Sequence, residues 1–199
     1  MDEKWIVNKD NLGIRYVFVW LEPDPKSGKK KLPIHPDLAK IAVKRIEMDQ
    51  PKCMFDPHAV AIREGQELLV KNSETIAHNF KWTGEPNTKN EGGNVLMPAK
   101  TDHLVKDLVP SRLPILVECN LHPWMKAYLR VYNHPYYAVT DGNGAFEFVK
   151  APAGEYRLKV WHGSAGWRGG AKGKLGEPIT IKAGIVTVLK EIEFPPPAN

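Results

Sequence analysis

A thiol, an imidazole and a thioether follow one another at a spacing of three residues in one short segment of the sequence. They belong to Cys119, His122 and Met125 in the run CNLHPWM. A soft thiolate, imidazole nitrogen and a weak axial thioether are the donors of mononuclear copper sites that carry electrons, and such sites use two imidazoles. His78, in the run KNSETIAHNF, is the best candidate for the second one. These residue types predict a copper site formed by His78, Cys119, His122 and Met125.

The segments that carry these residues follow stretches typical of β-strands. Residues 67–71 precede His78, residues 115–119 end at Cys119, and residues 127–132 follow the ligand loop. The chain has 17 prolines and 16 glycines and few stretches with helical periodicity, which favours an all-β fold. Residues 82–101 are rich in Asn, Gly and Pro and predict a long surface excursion.

The two histidine-bearing motifs together resemble those of the cupredoxins, the blue copper proteins, and the short Cys-x-x-His-x-x-Met loop is most similar to that of amicyanin. The resemblance covers roughly residues 52–132 and includes an aromatic-x-Pro, Phe55 to Pro57, before the strand that follows. It implies a Greek-key β-sandwich, one copper ion per chain and one-electron transfer. It also implies that Asn79, through its backbone and side chain, ties the two ligand loops together.

The residues around the loop suggest how electrons would leave it. The exposed edge of the His122 ring would serve as the electron port, with Trp124 beside it and shielding the metal. The chain carries a net charge of +5, and basic residues such as Lys126 would dock an acidic redox partner. Aromatic residues do not alternate with basic ones, so nucleic acid is not an expected partner.

Cys53 is the departure from the cupredoxin pattern, and three interpretations stay open for it. It is an inert buried thiol, or it forms a disulfide with Cys119, or it is a second sulfur near the metal. His58, close to it in sequence, could hydrogen-bond a ligand or replace one. For the four remaining histidines, His35, His103, His134 and His162, a surface or hydrogen-bonded role is the simpler interpretation.

Other functions are compatible with the same residues. With a Cys53–Cys119 disulfide the chain would be a metal-free binding or structural module, and with a weakly held metal it would store or deliver copper. Zinc would also accept Cys and His ligands, although a methionine favours copper. We recognise no residue that could orient a Cys119–His122 pair for nucleophilic catalysis. The sequence also contains no Cys-x-x-Cys-His motif for covalent haem attachment. We therefore expect an electron carrier or binding protein rather than an enzyme.

The remainder of the chain predicts further β-structure. Residues 14–21 are typical of a strand, residues 136–149 of a hairpin around Asp141-Gly142, and residues 179–181 and 185–194 of two last strands. The run TDGNGAFEFVKAPAGEYRLKV resembles the carboxypeptidase regulatory-like (transthyretin-like) β-sandwich repeat. We therefore expect three parts: an N-terminal strand extension (1–50), a cupredoxin-like domain (51–134) and a carboxypeptidase regulatory-like β unit (135–199).

The expected location follows from the resemblance. The first residues do not begin a secretory signal peptide, whereas the resembling families work outside the cytoplasm. We therefore expect a periplasmic or secreted protein whose signal peptide has been cut away and replaced by Met1. No apolar stretch reaches the length of about 18 residues that a membrane-spanning helix needs.

Overall fold

The structure, a computed structural model, describes residues 5–194 and confirms the predicted all-β fold. A short helix, α1 (Pro36–Ala39), and three 3-10 turns (Pro25–Ser27, Pro51–Cys53 and Gly170–Leu175) accompany the strands. The strands are β1 (Phe18–Pro23), β2 (Arg45–Met48), β3 (Ala59–Arg63), β4 (Glu67–Asn72), β5 (His78–Trp82), β6 (Gly93–Met97), β7 (Thr101–Val105), β8 (Ile115–Glu118), β9 (Lys126–Tyr132), β10 (Tyr137–Val139), β11 (Gly154–His162), β12 (Gly166–Trp167) and β13 (Glu177–Ile181).

The chain divides into two compact units. Unit 1 contains the described residues before Lys40 together with those after Pro135, and unit 2 contains residues 40–135. Each unit has a hydrophobic core of its own.

Unit 2 is a β-sandwich. One sheet has the strand order β2-β4-β7 and the other β3-β9-β8-β5-β6. Side chains alternate along β4 between buried and half-buried, as expected for a strand with one face on a core. Leu68 and Val70 from the first sheet and Ile62, Phe80 and Val117 from the second are fully or almost fully buried in one shared cluster. This shared core holds the two sheets face to face.

Strand β6 lies inside the segment predicted to be a surface excursion, so that prediction is wrong for residues 93–97. The strand pairs antiparallel with β5, and Gly93 lies opposite Trp82. A β-carbon at position 93 would lie 2.1 Å from the Trp82 ring, so glycine is required where the ring covers the neighbouring strand. A glycine-rich sequence here therefore reflects close packing and not a loop.

Unit 1 is built on a sheet with the order β10-β1-β11-β12, in which β13 also pairs with β11. β1 begins at Phe18 and not at residue 14, since Tyr16 has a φ of 67° that interrupts an extended strand. The first four side chains of β1 are buried because both of its faces are covered. Val19 and Leu21 pack in the core of unit 1, while Phe18 and Trp20 lie against the rings of Trp161 and Trp167.

Two predicted strands of unit 1 do not form. Residues 145–149 are not a strand, because Asp141 instead accepts backbone hydrogen bonds from Asn143 and Ala145 at 2.8 and 2.9 Å, and β10 pairs with β1. Residues 185–194 are not a strand either. Ile192 and Phe194 nevertheless pack against the core of unit 1, so this stretch contributes side chains without joining a sheet.

Candidate metal centre

The loop from Cys119 to Met125 is closed on itself between β8 and β9. Its ends are held by the pairing of β8 with β9, and the amide of Cys119 donates to the Met125 carbonyl at 3.2 Å. The Met125 amide in turn donates to the His122 carbonyl at 2.9 Å. Cys119 and Met125 are buried in the core of unit 2, whereas the His122 ring is only partly buried. The short loop therefore turns two sulfur side chains inward and leaves one imidazole at the rim.

His78, on strand β5, lies against His122, which belongs to the loop between β8 and β9. His78 begins β5 and its side chain is fully buried. The Nδ1 atoms of the two rings are 2.9 Å apart, and the ring centroids are 4.7 Å apart. Two ring nitrogens this close either share one proton or both direct lone pairs to a common cation. This is the arrangement that two imidazole ligands of one metal would take.

The thiol of Cys119 lies beside this pair. Its Sγ is 3.7 Å from His122 Nδ1, and it accepts a hydrogen bond from the Asn79 amide at 3.2 Å. The Asn79 backbone therefore connects the strand of His78 to the thiol. The Asn79 side chain bonds elsewhere, donating from Nδ2 to Asn94 on β6 at 3.2 Å.

The environment of His78 favours its neutral form. Burial lowers the pKa of His78 below its ordinary value, and a positive charge on His122 lowers it further, while Glu74 acts in the opposite direction. Its Nε2 is buried and has no hydrogen-bond partner among the described residues. A neutral imidazole is the form that binds a metal, so the pocket keeps His78 ready to do so at neutral pH.

Cys53 is the residue whose position the sequence did not settle. It ends the 3-10 turn Pro51–Cys53, and one ligand atom each from Cys53, His78 and His122 lie within 4.8 Å of one another. Cys53 and Cys119 are both free thiols in the structure. The structure therefore places two thiols, not one, near the imidazole pair.

The other residues singled out from the sequence lie around this centre. Trp124 is 65% exposed, its ring edge faces His122 at a centroid distance of 5.2 Å, and its Nε1 donates to the Cys53 carbonyl at 3.2 Å. Lys126 is exposed and forms an ion pair with Glu118 at 3.6 Å. His58 is buried at the start of β3, where it packs edge-to-face on Tyr128 at 5.9 Å, and it is not one of the three residues brought together.

Two polar residues that the sequence did not point to position the ligand segments. Asn72 is 1% exposed and its Nδ2 donates to the carbonyls of Ile76, Met97 and Pro98 at 2.9–3.0 Å. Gln50 is fully buried and donates to the Asn79 carbonyl at 3.1 Å. An Asn that ends a strand before a Ser-Glu pair is a recognisable turn signal, since Asn72 Oδ1 also accepts from the Glu74 amide, but nothing local marks Gln50.

The donor set fits a soft or borderline metal ion. Thiolates and neutral imidazoles bind Cu(I), Cu(II) and Zn(II), while the hard ions Mg²⁺ and Ca²⁺ prefer oxygen ligands. His78, His122 and the two thiols supply nitrogen and sulfur, and no carboxylate belongs to the group of three.

The described residues contain no helix long and apolar enough to cross a membrane.

Comparison with known proteins gives structural likeness only. No protein-family model and no curated protein matches the chain. Solved structures do match: a methionine-to-glutamine mutant of amicyanin with Cu(I) has a TM-score of 0.40 and 16% identity, covering 48% of this chain and 89% of that chain. A reduced tryptophan-to-tyrosine mutant of amicyanin has a TM-score of 0.40 and 14% identity, covering 57% of this chain and 98% of that chain. Likeness at this level does not assign a function, so the chemistry has to be inferred from the site's own residues.

Proposed function

We propose that unit 2 binds one copper ion and carries one electron at a time. The observation that supports this most directly is the convergence of three donors: His78 Nδ1 and His122 Nδ1 at 2.9 Å, with Cys119 Sγ 3.7 Å from the latter. Met125, buried at the end of the loop that carries Cys119 and His122, would be the weak axial ligand. Bound copper would supply a one-electron couple between Cu(I) and Cu(II).

The protein's own contribution would be to hold the donors still and keep water away. The Asn79 amide hydrogen bond to Cys119 Sγ stabilises the thiolate and fixes its direction. Cys119, His78 and Met125 are all buried to within 1% of full burial, so of the four proposed ligands only His122 faces solvent. A rigid, dry donor set changes little between oxidation states, which favours rapid electron transfer.

The route out of the site would pass through His122. Its ring is partly buried and lies against the exposed Trp124, so a partner could approach to within contact of that edge. Two further parts of the proposal come from the sequence. The net positive charge favours an acidic redox partner that docks near Lys126, and the family resemblance implies a periplasmic or secreted location. The carboxypeptidase regulatory-like nature of residues 135–199 also stays a prediction, and no activity is proposed for that part.

A copper titration tests the proposal. Cu(II) is added without oxygen to freshly reduced protein, and the visible spectrum is recorded. We expect an intense thiolate-to-copper band that saturates at one copper per chain, disappears on reduction and returns on oxidation. Cys119→Ser should weaken and shift the band, whereas His58→Gln, a histidine of the same unit outside the group, should leave it unchanged. Failure of the wild-type protein to retain copper on dialysis would refute the proposal.

A further inference from the structure

We propose that Cys53 is a second thiolate ligand of the same metal, an inference that rests on the proposed copper site. The sulfur of Cys53 and a ring nitrogen of both His78 and His122 lie within 4.8 Å of one another. Cys119 Sγ approaches the same His122 nitrogen from the other ligand loop at 3.7 Å. The centre would then consist of two imidazoles and two thiolates, with Met125 close by.

The backbone that presents Cys53 adopts a conformation that side chains rarely take. Lys52 and Cys53 have φ values of 53° and 55°, in the left-handed region, although neither residue is a glycine. Each such residue costs about 1 kcal/mol or more relative to an extended or helical conformation. Two consecutive left-handed residues persist only where neighbouring contacts hold the backbone in this conformation. Residues in such strained conformations are enriched at functional sites.

Several hydrogen bonds hold this turn in place. Asp49 and Asp56 pair across its base through two backbone hydrogen bonds of 2.8 and 2.9 Å. The Asp49 carboxylate accepts from the amides of Gln50 at 2.7 Å and Ser73 at 3.0 Å. These contacts fasten the turn to the segment that leads to His78.

The same turn is bonded to both ligand-bearing segments. Trp124 Nε1 donates to the Cys53 carbonyl itself, which connects the turn to the loop of Cys119 and His122. Gln50 Nε2 donates to the Asn79 carbonyl, next to His78. Cys53 is therefore held to the loop of Cys119 and His122 through its own carbonyl, and to the strand of His78 through Gln50, which precedes the turn.

The competing interpretations explain less of this geometry. An inert core thiol would be expected to be fully buried, but Cys53 is only partly buried. A disulfide with Cys119 is not formed, since both thiols are free. Neither interpretation gives a reason for a strained turn aimed at two imidazoles.

Two thiolates would change the chemistry of the site in a defined direction. Each thiol loses one proton to solvent when it binds the metal, so one metal ion would release two protons from the cysteines instead of one. Two negative sulfurs balance the charge of Cu(II) but exceed that of Cu(I), so the second thiolate would stabilise the oxidised ion and lower the reduction potential. Two sulfurs with two nitrogens also suit tetrahedral Zn(II), so zinc would compete better than at a single-thiolate site.

The first experiment uses the wild-type protein, so that no variant has to fold. One equivalent of Cu(I), added as its acetonitrile complex without oxygen, is followed by dialysis, copper analysis and alkylation of Cys53 mapped by mass spectrometry. We expect the partly buried Cys53 to react in the metal-free protein and to lose this reactivity when copper is bound. Retained copper with unchanged alkylation of Cys53 would overturn the second ligand and leave the proposed function standing. Absence of bound copper would overturn both.

The second experiment separates ligation from mere shielding. X-ray absorption counts the sulfur atoms around copper, and proton release is measured during the Cu(I) titration. Cys53→Ala should lose one sulfur and one released proton per copper, and its reduction potential should rise. Met54→Leu removes the neighbouring sulfur and is the matched control, which should change none of the three. Equal sulfur counts and proton release in Cys53→Ala and wild type would overturn the inference.

Discussion

Replacing Asn72 with alanine should destabilise unit 2 far more than its single amide group suggests. The side chain is almost completely buried, and its Nδ2 faces three main-chain carbonyls, those of Ile76, Met97 and Pro98. Its Oδ1 accepts from the Glu74 amide at 3.1 Å. One side chain thus connects the segment before His78 to the turn that follows β6.

The size of the effect follows from the hydrogen bonds lost. The substitution removes two Nδ2 hydrogens and one Oδ1 acceptor, so about three hydrogen bonds to the main chain are lost. Each net hydrogen bond contributes about 1 kcal/mol to stability, with a range of about 0.5–1.5. The expected loss in Asn72→Ala is therefore about 3 kcal/mol of the free energy of unfolding. With a slope of about 2 kcal/mol per molar urea, the unfolding midpoint should fall by about 1.5 M.

The assay has to report on unit 2 alone, because each unit has its own core and a single transition is not assured. Hydrogen–deuterium exchange of peptides from residues 40–135, measured across a urea series on metal-free protein, meets this need. Asn133→Ala, at an exposed asparagine of the same unit, is the control. A loss below about 0.5 kcal/mol, the range of ordinary surface substitutions, would refute the role assigned to Asn72.

Two more predictions concern the turn that carries Cys53. Burial raises the pKa of Asp49, but hydrogen bonds from Ser73 and Gln50 and the nearby Lys71 outweigh it and hold that pKa below its ordinary value. The stability that this carboxylate contributes should be complete above about pH 4 and should disappear as the pH falls through the folded-state pKa. The urea unfolding midpoints of wild type and Asp49→Asn should therefore differ most at neutral pH and converge in acid. A difference that stays constant with pH would contradict this. Trp124→Phe keeps a ring beside His122 but removes the N–H that donates to the Cys53 carbonyl, and should lower stability by about 0.5–1.5 kcal/mol and speed alkylation of Cys53 in metal-free protein. An unchanged alkylation rate would show that this hydrogen bond does not hold the turn.

The sequence predicted those features that depend on local spacing. The loop of Cys119, His122 and Met125 directly follows a strand, so a run of seven residues was enough to indicate a group of donors. His78 required an inference across 44 residues of sequence, yet the strand before it and the Asn after it pointed to a histidine whose ring lies against that of His122.

What the sequence could not predict depends on packing between distant segments. Cys53 reaches the imidazoles through two left-handed residues, neither of them glycine, and no local pattern predicts that conformation. β6 was missed because Gly93 indicates a turn when only the sequence is considered. It is a glycine because the Trp82 ring on the neighbouring strand leaves no room for a β-carbon at this position. Residues 185–194 have the composition of a strand, and Leu189, Ile192 and Phe194 pack against a core, although the backbone of this segment joins no sheet.

The placement of β1 has a consequence for the order in which the chain can fold during synthesis. β1 pairs with β11 over its whole length, for example Phe18 with Trp161, so its main partner is translated only after all of residues 40–135. The inserted unit contains every strand of its own two sheets and can close as soon as it leaves the ribosome. Until then the buried apolar strand β1 has no partner, and it is the segment of the nascent chain most in need of protection from aggregation.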